Sequence, residues 1–149
     1  MPAACSGSLK ISGMELPEFV PGQTARVELT VTDADTAQAL GSGDVPVLGT
    51  PRVLAIAEAA TVACTARQLP GGVTTVGTRA EVEHRVATMV GRHVTAQATL
   101  AKVDGRKLIF DVAVKEGDTL VAEVRVERVV LDRQRFIQRA LDQGAPAGD

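Results

Sequence analysis

The sequence contains no tryptophan and no tyrosine, and its three phenylalanines are its only aromatic residues. Proteins that hold nucleic acid usually combine a basic surface with aromatic side chains that stack on bases, whereas this chain has a formal net charge of -2. We therefore expect no nucleic-acid partner. The longest apolar run, Val53 to Ala66, is interrupted by Glu58 and is too short to cross a bilayer. We expect no membrane partner either.

Cysteine and histidine are also scarce, with two residues of each. Cys5 and Cys64 have neither CxxC spacing nor a framework of disulfide partners, and residues 1–12 lack the charged and apolar regions of a signal peptide. His84 and His93 do not stand at metal-ligand spacing. These absences predict a cytoplasmic protein without a metal site.

The length of 149 residues and the hydrophobic fraction of 45% suit one domain, which we expect to span residues 1–149. Residues 1–8 and 144–149 are small, polar and rich in glycine and proline, which predicts disordered ends. Residues 33–49 also contain several glycines and a proline and have no sustained period. They predict a long, mobile connection of the kind that often covers a site.

Hydrophobic periodicity divides the remainder into strands and helices. Thr50-Pro51 predicts the start of a helix, with Thr50 as its cap, that is apolar nearly all round and therefore buried as far as about Gln68. Asp132 to Leu141 predicts a short terminal helix. The predicted strands cover residues 24–32, 73–89, 92–103 and 107–130, the last split by a turn at residues 116–118.

One apolar helix followed by an antiparallel meander predicts an α+β protein with the hotdog fold. In this fold a five-stranded antiparallel sheet wraps around one central helix, and here a short C-terminal helix follows. Because such a sheet leaves an edge and a face that commonly pair with a second copy, we expect a homodimer.

Three polar residues stand where the pattern predicts apolar ones. Glu58 is the only charge in the apolar helix, and His84 shares a strand face with Val76 and Val82. Arg128 continues the apolar face of the last strand. A buried charge without a partner is costly, so function is one explanation. The alternatives are a carboxylate at a helix edge or beside a cation, a satisfied core histidine, and a strand-end arginine that reaches solvent.

With Thr50 and Gly77, these residues form a spaced set that resembles the fluoroacetyl-CoA thioesterase family of hotdog enzymes. The register runs without a gap from Thr50 through Glu58, Gly77 and His84 to Arg128. The resemblance implies that Thr50, Glu58 and His84 are catalytic. It implies that Gly77 offers a backbone N–H to the substrate and that Arg128 contacts coenzyme A. The implied activity is hydrolysis of a small or medium acyl-CoA without a cofactor.

The phenylalanine lid of that family has no counterpart, because residues 41–47 read GSGDVPV. We therefore expect a different or broader acyl group than fluoroacetyl. Alternatives stay open: a non-catalytic acyl-CoA-binding domain, a dehydratase, or a thioesterase for an acyl carrier protein held by surface lysines and arginines. Joint presence of Glu58 and His84 favours catalysis, with Glu58 acting as nucleophile or as general base.

Overall fold

The computed structural model describes residues 9–144. The predicted disorder of residues 1–8 and 145–149 falls outside this range, whereas Gly144 caps the last helix by donating its N–H to Ala140 O. Two short 3₁₀ helices, Asp33–Asp35 and Ala66–Gln68, accompany the main elements. These elements are β1 (Lys10–Ile11), β2 (Met14–Glu15), β3 (Thr24–Thr30), α1 (Ala37–Leu40), α2 (Thr50–Thr65), β4 (Val73–His84), β5 (His93–Asp104), β6 (Lys107–Glu116), β7 (Thr119–Asp132) and α3 (Arg133–Gln143).

The five long strands form one antiparallel sheet in the order β3-β5-β6-β7-β4, and α2 packs against it. Alternation in β5 as far as Leu100, and in β6 as far as Val114, buries every second side chain, as expected for strands with one covered face. The buried residues of α2 that meet this face include Val53, Ile56, Ala57 and Ala60. The predicted α+β hotdog architecture, with a short C-terminal helix, is confirmed.

The sequence predicted that α2 is buried on all sides. Within this single chain, one side of the helix is exposed. Ala55, Ala59 and Ala63 are exposed and Val62 is 45% exposed. One sheet can cover only one side of a helix, so the opposite side presents a strip of small apolar side chains. None of the helices in residues 9–144 is long and apolar enough to span a membrane.

A β-bulge at Thr78 interrupts the pairing of β4 with β7. Gly77 and His84 are seven residues apart, so a regular strand would point them to opposite faces. The extra residue corrects the phase, because Gly77 and His84 both pair with residues of β7 that face α2. The same bulge moves Val76 to the outer face, whereas unbroken alternation had predicted that it shares a face with His84.

Residues 33–49 are more structured than the predicted mobile connection. They contain the first 3₁₀ helix and α1, and they bury Asp35 and Thr36. Asp35 accepts hydrogen bonds from Thr32 N and Oγ1 at 2.8 and 3.0 Å, and it pairs with Arg52 in the first turn of α2 at 2.8 Å. Burial raises the pKa of Asp35, but these hydrogen bonds outweigh it and hold the pKa below 3.8. The segment is therefore fastened to the start of α2.

Candidate active site

Thr50 and His84 form the first group of predicted site residues, the Thr50–His84 pair. The cap of α2 is Gly49 and no side chain caps the helix, so the predicted capping role of Thr50 is wrong. Its hydroxyl instead contacts His84, with 2.9 Å between Thr50 Oγ1 and His84 Nδ1. The pair lies at the N-terminus of α2, where the helix dipole favours negative charge.

His84 is held as a mostly neutral imidazole. Burial lowers its pKa from 6.5, and the carbonyl of Val86 opposes this only in part. Nε2 is buried and has no hydrogen-bond partner among residues 9–144. In the tautomer that carries its proton on Nε2, Nδ1 accepts the proton of the Thr50 hydroxyl. The ring can then take up or relay a proton near neutral pH.

Glu58 and Arg128 form the second group, in which the arginine is the more deeply buried partner. Arg128 Nη1 lies 3.2 Å from Glu58 Oε2, and the side chains are 8% and 40% exposed. Arg128 Nε donates to Thr75 Oγ1 at 2.9 Å, and Nη2 donates to Thr75 O at 3.0 Å. Arg128 is thus not a strand-end residue that reaches solvent. Glu58 does stand beside a cationic partner, as one alternative proposed.

Gly77 completes this second group, the Glu58 cluster (Glu58, Thr75, Gly77 and Arg128). A Cβ atom at residue 77 would lie 2.5 Å from Glu58 Oε2 and 3.4 Å from Arg128 Nη1. A contact of 2.5 Å is shorter than carbon and oxygen tolerate, so only glycine leaves the carboxylate in place. The choice of glycine here reflects close approach of a side chain.

The five predicted residues therefore lie in two separate groups within one chain. No hydrogen bond or ion pair in the described part of the chain joins the Thr50–His84 pair to the Glu58 cluster. Thr50 and Glu58 are eight residues apart on α2, which is about 12 Å along the helix axis. A small thioester carbonyl cannot contact both groups of the same chain.

Two supporting residues were not predicted from the sequence. Thr75 is 8% exposed and anchors Arg128, and its only signal was its position two residues before Gly77 on the same strand face. Asp35 fastens the start of α2 and had a stronger signal. Thr32 and Asp35 form a capping box, in which each side chain accepts from the other's backbone.

Cys64 and His93 lie apart from both groups. The Cys64 thiol donates to Gln23 O at 3.3 Å, and burial raises its pKa, so it is a poor thiolate. His93 lies at the surface beside Thr30. Within residues 9–144, no three His, Cys, Asp or Glu side chains come together in a way that could hold a metal ion.

The family model of the fluoroacetyl-CoA-specific thioesterase matches residues 31–134, which include all five predicted site residues. The chain belongs to this thioesterase family. It is a thioester hydrolase by that membership. A search of curated proteins found no match.

Solved structures agree with this assignment to the fluoroacetyl-CoA-specific thioesterase family. The chain is 26% identical to the fluoroacetyl-CoA thioesterase FlK, with a TM-score of 0.79 over 87% of this chain and 100% of that one. A mutant of FlK in complex with fluoroacetate and CoA is 27% identical, with a TM-score of 0.75 over 79% and 99% of the two chains. A hot-dog-like protein from Thermanaerovibrio acidaminovorans, 23% identical, has a TM-score of 0.80 over 87% and 96% and shares the fold.

Proposed function

We propose that this thioesterase hydrolyses a small or medium acyl-CoA through Thr50, Glu58 and His84. The observation that carries the proposal is the contact between Thr50 Oγ1 and His84 Nδ1 at the N-terminus of α2. A neutral imidazole in contact with a hydroxyl is suited to proton transfer. The helix dipole at this N-terminus is suited to an oxygen that becomes negative as the thioester is attacked.

In the proposed reaction, a water oxygen attacks the thioester carbonyl and Glu58 accepts the water proton. The C–S bond then breaks, and the departing sulfur receives a proton relayed through His84. Attack by the Glu58 carboxylate itself, followed by hydrolysis of the acyl-glutamate, is the alternative route. Gly77 N–H is proposed to hold the carbonyl oxygen. Arg128 is proposed to meet coenzyme A through the two of its five N–H groups that Thr75 and Glu58 leave unused.

We infer further that the two groups meet across a homodimer. Within the described residues, β4 pairs only with β7, so its other edge is open, and Gly77 to Glu81 are exposed along it. Antiparallel pairing of two β4 strands about Glu81 would place Ala80 opposite Val82 of the partner subunit, and the bulge at Thr78 would then bring Gly77 opposite His84 of the partner subunit. Glu58 of one subunit would then approach the Thr50–His84 pair of the other. The apolar strip on α2 would be covered by the same partner.

The acyl group is proposed to be short or medium and aliphatic. Leu40, Val45 and Met89 are 41%, 50% and 54% exposed in the segments that flank the Thr50–His84 pair. Residues 41–47 carry no aromatic side chain, which supports a broader acyl selectivity than the name of the family states. The cytoplasmic location and the single-domain organisation remain predictions from composition and length.

Release of free thiol from a panel of short and medium acyl-CoAs tests the proposed activity. We expect turnover of at least one aliphatic member by the wild type, and its loss in Glu58→Ala and His84→Ala variants that keep the wild-type circular dichroism. Surface residue His93 provides the matched control, because His93→Ala removes the other histidine without touching either group. Absence of turnover, with acyl-CoA binding that survives both substitutions, would establish the non-catalytic alternative. Turnover of acyl carrier protein thioesters alone would establish the alternative of a thioesterase that acts on an acyl carrier protein.

A further inference from the structure

A small cleft lies where α3 leaves the sheet, remote in sequence from the catalytic residues. Asp132 caps α3 by accepting from Arg135 N at 3.0 Å, and it also accepts from Ser12 Oγ at 2.6 Å. The cleft has a volume of about 120 Å³. Its lining includes Arg106 from the turn between β5 and β6, and Arg135 and Arg139 from α3.

The three arginines make this cleft electropositive. Arg135 and Arg139 are four residues apart and share a face of α3, where two like charges repel each other. Among residues 9–144, neither they nor Arg106 forms an ion pair. The one carboxylate in the lining, that of Asp132, is engaged at the helix cap. An anion in the cleft would relieve this repulsion.

The chemistry of the lining selects a phosphate group. Guanidinium groups bind phosphate through two parallel N–H donors, and several of them around one oxyanion are typical of phosphate sites. The volume suits a single phosphate group. Phe136, also in the lining, is 43% exposed and offers an aromatic face beside it on which a base can stack. A phosphorylated nucleoside fits both features.

The cleft also lies at a suitable distance from the Glu58 cluster. Asp132 is four residues beyond Arg128 on β7, so alternation places both on the same side of the strand, about 13 Å apart. A ligand with its reacting end at Glu58 and a phosphorylated nucleoside at the other end would need a flexible linker of this order of length. Coenzyme A, with its pantetheine arm, has this construction.

We propose that Arg106, Arg135 and Arg139 bind a phosphate group of the 3′-phospho-ADP end of the acyl-CoA substrate. The proposal rests on the proposed function, because it takes acyl-CoA as the substrate. It adds a second anchoring point that is independent of the residues at the thioester. The three arginines act on substrate affinity and leave the chemical step unchanged.

Kinetics with two matched thioesters test this site. Acyl-CoA and the corresponding acyl-pantetheine carry the same thioester, but only the former carries phosphates. We expect the Arg135→Gln/Arg139→Gln variant to raise KM for acyl-CoA on the order of tenfold or more, since hydrogen bonds to charged groups are lost. Its kcat, and its KM for acyl-pantetheine, should stay at wild-type values. Arg133→Gln, on the same helix but outside the cleft, is the matched control and should change neither KM.

Direct measurement of ligand binding provides a second test of the cleft that does not depend on catalysis. By calorimetry, adenosine 3′,5′-bisphosphate should bind the wild type and Arg133→Gln, and binding should be lost in Arg135→Gln/Arg139→Gln. A KM that rises equally for both thioesters, or for neither, would overturn the proposal, as would inorganic phosphate that binds as tightly as the bisphosphate. If the wild type cleaves neither thioester, the proposed function fails, and calorimetry still decides whether the cleft binds the nucleotide.

Discussion

Substitution of Gly77 by alanine tests the geometry of the Glu58 cluster most directly. The new Cβ would lie 2.5 Å from Glu58 Oε2, and an ordinary carbon–oxygen contact is about 3.3 Å, so the carboxylate must retreat by roughly 0.8 Å. The Glu58 side chain is 40% exposed and can swing toward solvent. An off-rotamer side chain costs about 1 kcal/mol, which corresponds to a fall in Tm of roughly 2–4 °C for a chain of this size.

The effect of Gly77→Ala on catalysis should be far larger than its effect on stability. Displacement of a reacting group by about 1 Å can lower the rate on the order of 100-fold. We expect kcat for the best acyl-CoA to fall by about this factor, while thermal denaturation shows a folded protein. Gly71→Ala is the matched control, because nothing lies within 4 Å of its added Cβ and its φ is not in the left-handed region. Wild-type turnover in Gly77→Ala would refute the role assigned to the Glu58 carboxylate.

When Glu58→Ala and His84→Ala chains are mixed, half of the dimers contain one chain of each kind, and each of these mixed dimers holds one intact site. The mixture should therefore recover about a quarter of wild-type turnover. No recovery would place complete sites within single chains. Thr75→Val leaves the Arg128 Nε–H without its buried acceptor, so urea denaturation should show a loss of roughly 1–3 kcal/mol and kcat should fall, whereas Thr75→Ser should keep both. Since the pKa of Asp35 is lowered in the folded state, the unfolded chain binds more protons near this pKa, and stability is lost as pH falls below about 4. Asp35→Asn should flatten that loss in urea denaturation series at acid pH, and an unchanged slope would contradict the assigned hydrogen bonds.

The fold was predictable because hydrophobic periodicity is a local property of each segment. Alternation in the later strands and the apolar content of α2 were sufficient to predict a sheet around a helix. The extent to which other elements cover α2 was not predictable. The sequence pattern is the same whether a second copy covers the apolar strip that includes Val62 or the strip stays exposed. An all-round apolar helix therefore predicted more burial than one chain provides.

The sequence proposed the residues of the site as one set, but it could not predict their arrangement. Spacing along the chain placed Thr50, Glu58 and His84 in one set, yet spacing carries no information on which of them meet within one subunit. The capping prediction for Thr50 followed from residue preference, which is a weak guide when a neighbouring histidine competes for the same hydroxyl. Thr75 was missed because a threonine is common in any strand, and only the buried guanidinium beside it reveals its role.

The bulge at Thr78 makes the number of residues between Gly77 and His84 as important as their identity. A related chain with one residue fewer in this stretch would have the glycine and the histidine six residues apart, and a regular strand without a bulge would keep both on the side of α2. A related chain with the same spacing of seven residues but without the bulge would keep the residues of the site and lose its geometry. Among relatives of this thioesterase, an odd spacing between this glycine and this histidine should therefore occur together with a bulge, and an even spacing with a regular strand.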